Sequence, residues 1–235
     1  MNIKIYIYGV EMMIKFTKVQ KQYSDGNECL NDINLKIDQG EFVFLVGHSG
    51  AGKSSLLKLI TREEKITDGR IIVDKENITN IKNRSLHKYR RNIGIIFQDY
   101  RLIKEKTVYE NVELALRVVG ENPKNIRPKV MEVLERVGVA HKYKKYPDEL
   151  SGGECQRVGI ARAIVNNPSI IIADECTGNL DIDNSRSIMK LLDGINKQGI
   201  TVIVATHTLD LVKGFPRRIV KIEGGKIIYD TKRCE

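Results

Sequence analysis

Cysteine is scarce in this chain and its four copies are scattered. Cys29, Cys155, Cys176 and Cys234 form no CxxC pair, which argues against a zinc site or disulfide framework and for a reducing, cytosolic compartment. No apolar run approaches the roughly 18 residues needed to span a bilayer, and no signal-peptide pattern opens the chain. Work at a membrane therefore calls for another subunit to do the spanning. The formal net charge is +9, yet the basic residues are dispersed, with local groups at Arg84, Lys88, Arg90 and Arg91 and at Lys142, Lys144 and Lys145. No basic stripe interleaved with aromatics is present, so nucleic acid is disfavoured as a partner. A lysine-biased solvated surface accounts for the charge equally well. Internal repeats and low-complexity segments are absent too.

What is present fills a substantial core: 235 residues, of which 41% are hydrophobic, fit one large domain or two small ones. Residues 13–19 and 33–37 alternate like half-buried strands, with a turn between them at 23–27. The short apolar stretch before Met13 reads as a mis-assigned start or, as the alternative, an extra edge strand. Residues 41–46 are apolar on both faces, as in the buried strand of a covered sheet, and a helix is expected over 53–60. Short strands follow at 70–73 and 93–97. From Thr107 to Val137 the pattern turns helical, with stripes through Val108, Val112 and Leu116 and from Pro128 through Val130 and Leu134. Strands at 170–173, 201–205, 219–222 and 226–229, with a helix at 184–196, then resume an α/β alternation. One domain with two lobes is the expected organisation.

The segment Gly47-His48-Ser49-Gly50-Ala51-Gly52-Lys53-Ser54 fits the G-x-x-x-x-G-K-[ST] phosphate loop and sits between a buried strand and a helix, where that mechanism requires it. Its backbone N–H groups would cradle phosphates at the helix N-terminus, with Lys53 on the β- and γ-phosphates and the Ser54 hydroxyl on Mg²⁺; Ser55 follows at the same mouth. The strand at Ile170 ends in Asp174 and Glu175. Asp174 suits the Mg²⁺ shell, and Glu175 suits a general base that polarises the attacking water. A second glycine-rich element, Leu150-Ser151-Gly152-Gly153-Glu154, opens about a turn and a half of helix before that strand and offers another phosphate-binding surface.

Together these segments resemble the ATP-binding cassette (ABC) ATPases, and the resemblance covers nearly the whole chain from Met13 onward. It implies an α/β fold of P-loop NTPase (RecA-like) type, with an antiparallel β-subdomain and an inserted α-helical subdomain. The ATP-binding domain would occupy 14–235 and the helical insertion about 99–165. In that family the Ser151, Gly152, Gly153 and Glu154 segment contacts the γ-phosphate of ATP held by the opposing subunit. Tyr23 is placed like the aromatic that stacks on adenine, and Gln98 resembles the glutamine that touches Mg²⁺ and the attacking water. Gly178-Asn179-Leu180-Asp181 is similar to the loop across the dimer interface, and His207 to the histidine that contacts the γ-phosphate.

Within the family the chain is similar to the bacterial cell-division ATPases of the FtsE type, on Gly47 to Ser54, Phe97-Gln98-Asp99-Tyr100-Arg101-Leu102 and Thr107 to Val112. That likeness implies ATP and Mg²⁺ as cofactors, and an ATP-bound homodimer. It would be peripheral on the cytoplasmic side of the cell membrane, docked on an integral membrane partner of the FtsX type and linked through it to peptidoglycan hydrolases outside. The alternatives are the ATPase of a lipoprotein-release or macrolide-type exporter, whose members usually have Pro where this chain has His48, and a regulatory module that holds ATP but scarcely hydrolyses it. Two departures stand out. Cys176 replaces a usual Pro after Glu175; this frees φ beside the base and would loosen its placement, though tolerated drift is the favoured reading. Cys155 lies near a helix N-terminus, a position that can lower a thiol pKa.

Overall fold

The computed structural model describes residues 11–24, 26 and 28–234. The stretch read as a mis-assigned start or edge strand lies, over residues 1–10, outside the described residues. The elements run in chain order as β1 (Met12–Gln22), β2 (Glu28–Asp38), β3 (Phe42–Val46), α1 (Lys53–Ile60), β4 (Asp68–Val73) and β5 (Glu76–Asn77). There follow α2 (Asn83–Arg90), β6 (Ile93–Ile96), α3 (Val108–Val119), α4 (Pro123–Arg136) and α5 (Gly152–Ile164). The chain closes with β7 (Ile170–Asp174), α6 (Ile182–Asn196), β8 (Thr201–Thr206), α7 (Leu209–Lys213), β9 (Arg218–Glu223) and β10 (Lys226–Asp230).

Two sheets result. One is antiparallel with the order β2-β1-β4-β5; the other has the order β10-β9-β3-β8-β7-β6. In the larger sheet β9, β3, β8, β7 and β6 are parallel, and β10 pairs antiparallel at one edge. This is a mixed α/β architecture, with an antiparallel sheet beside a mostly parallel one, of the kind the resemblance implies.

Strand β3 is buried along its whole length, and its pleat sends alternate residues to opposite faces. Phe42, Phe44 and Val46 enter a core shared with α3, α4, α5 and α6. Val43 and Leu45 enter a second core, built with α1 and the antiparallel sheet through Phe16, Ile33 and Ile71. The loop that follows β3 thus stands on a strand clamped by both cores.

Between β6 and β7 the long elements are all helical. Thr107 caps α3 through a reciprocal box: its Oγ1 accepts from Glu110 N at 3.2 Å, and a Glu110 carboxylate oxygen accepts from Thr107 N at 2.8 Å. Helix α4 starts five residues before the expected Pro128, at Pro123, with Asn122 accepting from Lys124 N at 3.0 Å. Proline suits that first position, where its missing N–H has no helical partner. Pro128 is then carried inside the helix, where it forgoes one backbone bond.

Other boundaries also moved. β1 runs longer than the alternating stretch 13–19 because register shifts near Phe16, Val19 and Lys21, with Lys18 at φ 48°, break the period-2 pattern. The helix after Ser151 has 13 residues, about three and a half turns rather than the expected turn and a half.

Candidate active site

Four parallel strands end at one edge of the larger sheet, and each delivers part of the site. In the ladder Val46 pairs with Thr206, Ala205 with Asp174 and Ala173 with Ile96. This register aligns the starts of the phosphate loop, the His207 loop, the Asp174-Glu175 pair and the Gln98 loop. Ligands of open α/β sheets sit at such carboxyl ends.

The phosphate loop leads into α1 through Gly52 at φ 106°, a conformation closed to side-chain-bearing residues. No side chain caps the N-terminus of α1, whereas Thr107, Ser151 and Asp181 cap α3, α5 and α6. The first-turn N–H groups of α1 are therefore left for an anion. Lys53 is almost fully buried, and its ammonium donates to Gly47 O at 2.8 Å and His48 O at 3.0 Å. The His48 ring turns back to its own loop, with Nδ1 2.7 Å from Ser49 O.

The carboxylates meet this loop. Ser54 Oγ donates to Asp174 Oδ1 at 3.2 Å. Burial, with the Glu175 charge adding to it, pushes the Asp174 carboxyl up. Glu175 bridges two cations or donors: Oε1 lies 3.6 Å from Lys53 Nζ and Oε2 lies 2.9 Å from His207 Nδ1. Glu175 itself is in the left-handed region at φ 49°, a strained conformation for a non-glycine residue. Its backbone is pinned by N–H to Ala205 O at 3.0 Å and by Gly178 N–H to its own carbonyl at 2.9 Å. The loosening considered as the alternative at Cys176 is thus countered by backbone bonds on both sides of Glu175. The Cys176 thiol is buried and pushed up to about 12, so it stays protonated and inert.

Two clefts open here. One of about 280 Å³ is lined by Cys29, Ser49, Gly50, Gly52, Lys53, Ser54, Ser55 and Glu175. The other, about 480 Å³, joins Ser54, Gln98, Asp174 and Glu175 to Asp99, Arg101 and Asn179. Gln98 is tied to the loop beyond Glu175 by Asn179 Nδ2 donating to its carbonyl at 3.3 Å. Sequence reasoning missed Cys29, whose thiol donates to Ser55 Oγ at 3.0 Å, and had not placed Asn179 in the cleft. The Cys29–Ser55 pair is 26 residues apart and leaves no local signal.

The residues present suit a nucleotide and a hard divalent cation. An uncapped helix N-terminus with a buried lysine fits phosphates. The Ser54 hydroxyl beside the Asp174 carboxylate, with the Gln98 amide lining the same cleft, is an all-oxygen donor set of the kind Mg²⁺ takes.

Ser151 to Glu154 lies elsewhere: among the described residues, neither cleft takes a lining residue from this segment. Ser151 caps α5, its Oγ accepting from Glu154 N at 3.3 Å and donating to Glu154 Oε2 at 3.0 Å. The backbone N–H of Ser151 holds the Glu154 carboxyl below its usual range, and Lys142 stands 3.5 Å away. A Cβ at Gly153 would lie 2.8 Å from Asn184 Oδ1, so a side chain there would displace that exposed amide. Cys155 proves buried, and burial pushes its thiol up, opposite to the lowering expected from the helix N-terminus. Desolvation outweighs the dipole here.

A family model described as ABC transporter matches residues 30–178. The chain belongs to the ABC transporter family. The cell division ATP-binding protein FtsE of Bacillus subtilis (strain 168) is 49% identical over 223 residues, covering 95% of this chain and 98% of that protein. FtsE of Escherichia coli (strain K12) is 44% identical over 215 residues, covering 92% and 97%. Among solved structures, CbiO1 of Clostridium perfringens, part of the ABC transporter complex CbiONQ, superposes with a TM-score of 0.88 at 34% identity. It covers 94% of this chain, which spans 88% of that one. The dimeric post-hydrolysis structure of the ATP-binding cassette MJ0796, bound to ADP and Pi, gives 0.83 at 36% identity over 93% and 97% of the two chains. As an ABC cassette the chain is an ATP-binding protein and an ATPase. No helix among the described residues is long and apolar enough to cross a membrane.

Proposed function

We propose that this chain is the ATP-hydrolysing subunit of a bacterial cell-division complex of the FtsE–FtsX kind. It would act on the cytoplasmic side of the membrane and signal through an integral partner to peptidoglycan hydrolases. The observation that carries this reading is the near full-length similarity to FtsE proteins, at 44–49% identity, with the catalytic groups gathered at one sheet edge.

In this reading Gly47, His48, Ser49, Gly50, Ala51, Gly52 and Ser55 line the phosphates, and Lys53 supplies the positive charge. Ser54, Asp174 and Gln98 hold Mg²⁺, which when bound neutralises charge on the phosphates. Glu175 takes a proton from the attacking water, and His207 orients that carboxylate from 2.9 Å. Tyr23 receives the adenine. Ser151, Gly152, Gly153 and Glu154 complete the site of a second copy, so the working unit is a head-to-tail homodimer.

A groove of about 490 Å³ between α2, β6 and α3 supports a membrane partner. Its floor is apolar (Ile95, Leu114, Val119), Val118 on its rim is 70% exposed, and His87, Arg90 and Arg91 border it. We assign its occupant as a short cytoplasmic segment of the membrane partner, apolar on one face and acidic beside it. The double variant Val118→Asp with Arg91→Glu is expected to reduce co-purification of that partner at least ~10-fold, a loss of about 1.4 kcal/mol, while ATP binding stays intact. Undiminished co-purification would move the docking site elsewhere.

At the cell level, depletion of this chain is expected to yield elongated or unseparated cells with normal lipoprotein release and drug export. Normal cell length with defective export would instead support the exporter alternative.

A further inference from the structure

One carboxylate outside the catalytic cluster ties the edge of the nucleotide site together. Glu64 lies in the loop after α1, with its side chain only 18% exposed. Its Oε1 accepts a hydrogen bond of 3.0 Å from the Tyr23 hydroxyl, which also lies 3.1 Å from Ser55 Oγ. Its Oε2 stands 3.4 Å from Lys21 Nζ. That same ammonium sits 4.6 Å from the centre of the Tyr23 ring and donates to Lys65 O at 3.1 Å. Lys58 on α1 adds a contact to Glu64 at 3.6 Å. Tyr23 follows β1 of the antiparallel sheet, while Ser55 and Lys58 belong to the helix of the phosphate loop. Glu64 therefore joins the end of the antiparallel sheet's first strand to the phosphate-loop helix at the edge of the nucleotide cleft.

A tyrosine just beyond a strand end has free rotation about two side-chain bonds, and ordering it on binding lowers affinity. A side chain already held in place carries less of that loss. Here the hydroxyl is anchored at its tip, and one face of the ring is covered by a cation whose own position the same carboxylate sets. With Tyr23 taken as the base-facing aromatic, its other face would stack on a planar base, and the cation behind the ring would strengthen that assembly. Burial pushes the Tyr23 phenol up, which keeps its proton in place for donation to Glu64.

We propose that Glu64 is a positioning residue for nucleoside recognition, clamping Tyr23 and Lys21 into a preformed platform for the base of the bound nucleotide. The proposal rests on Tyr23 as the base-facing aromatic, and it assigns to Glu64 affinity for the base rather than for the phosphates.

The test compares ATP with inorganic tripolyphosphate, both with Mg²⁺, on the full chain and its Glu64→Ala, Glu64→Gln and Tyr23→Phe variants. Glu64→Ala and Tyr23→Phe are each expected to weaken ATP binding about 5–10-fold and to raise KM with kcat unchanged. The double variant is expected to be no worse than either single one, since both break the same clamp. Glu64→Gln, which still accepts from the tyrosine, is expected to recover most of the loss. Tripolyphosphate affinity should not move. Unchanged or tighter ATP binding in Glu64→Ala, additive losses in the double variant, or an equal loss of tripolyphosphate affinity would each overturn the proposal. Because Tyr23→Phe removes one hydroxyl at a partly exposed site, it keeps the test informative should Glu64→Ala fail to fold. Failure of the wild-type chain to bind ATP would instead refute the ATPase reading itself.

Discussion

Replacing Glu175 with Gln is expected to lower steady-state phosphate release by about 10²–10⁴-fold while leaving ATP binding intact. The neutral amide has nearly the shape of the carboxylate, so His207 and Lys53 keep a partner of similar size at 2.9 and 3.6 Å. What it cannot do is accept the proton of the attacking water. It also removes a negative charge that lines both clefts beside the phosphate loop. ATP should therefore persist in the site, and the closed dimer should accumulate. Phosphate release measured at saturating ATP, paired with size-exclusion chromatography in ATP, reads both effects. Turnover near the wild-type rate would remove Glu175 from the role of base.

The second large effect concerns sharing of the site between copies. Lys53→Ala is expected to weaken ATP binding ~100-fold, because it removes the buried cation proposed to pair with the phosphates, which here donates to the Gly47 and His48 carbonyls of their loop. Ser151→Arg leaves the phosphate loop untouched but blocks the segment assigned to the opposing copy from an exposed position, with loss of the α5 cap costing only about 1 kcal/mol. Each variant alone should be nearly inactive. Mixed in equal amounts, half of the dimers pair one of each kind, and each such dimer holds one site with an intact loop and an intact Ser151 segment. Activity is expected to return to about a quarter of wild type, by simple combination in a twofold dimer. A mixture that stays inactive, although the chains exchange, would contradict the composite site. Activity of Ser151→Arg alone would contradict it more directly.

Much of this site was legible in the sequence because its chemistry is local. The expected helix from Lys53 to Ile60 has the observed bounds, since the glycine-rich loop before it and the apolar spacing within it are both short-range signals. The apolar strand ending at Asp174 was readable for the same reason. Helix α2 was not: Asn83–Arg90 has only Leu86 and Tyr89 as large apolar residues, and its N-cap Lys82 makes no side-chain cap bond. It is held instead by tertiary contacts, with the Tyr89 hydroxyl donating to Ile60 O at 2.5 Å and Arg90 reaching Thr61 O at 2.9 Å. The length of α5 was underestimated because Gly152, Gly153 and Gly159 weaken helix propensity, while burial of Val158, Ile160 and Ile164 carries it forward. Glu64 had no signal, because its partner Tyr23 lies 41 positions away.

Strand β3 has one more consequence. Its odd and even residues are committed to different interiors, so the loop at its end has no independent footing in either. A phosphate pulling on that loop leans on a common wall, and any displacement must be felt on both sides of it. If the proposed signalling role holds, the strand beneath the phosphate loop would serve as a fulcrum, with the helical lobe and the antiparallel sheet as its two arms.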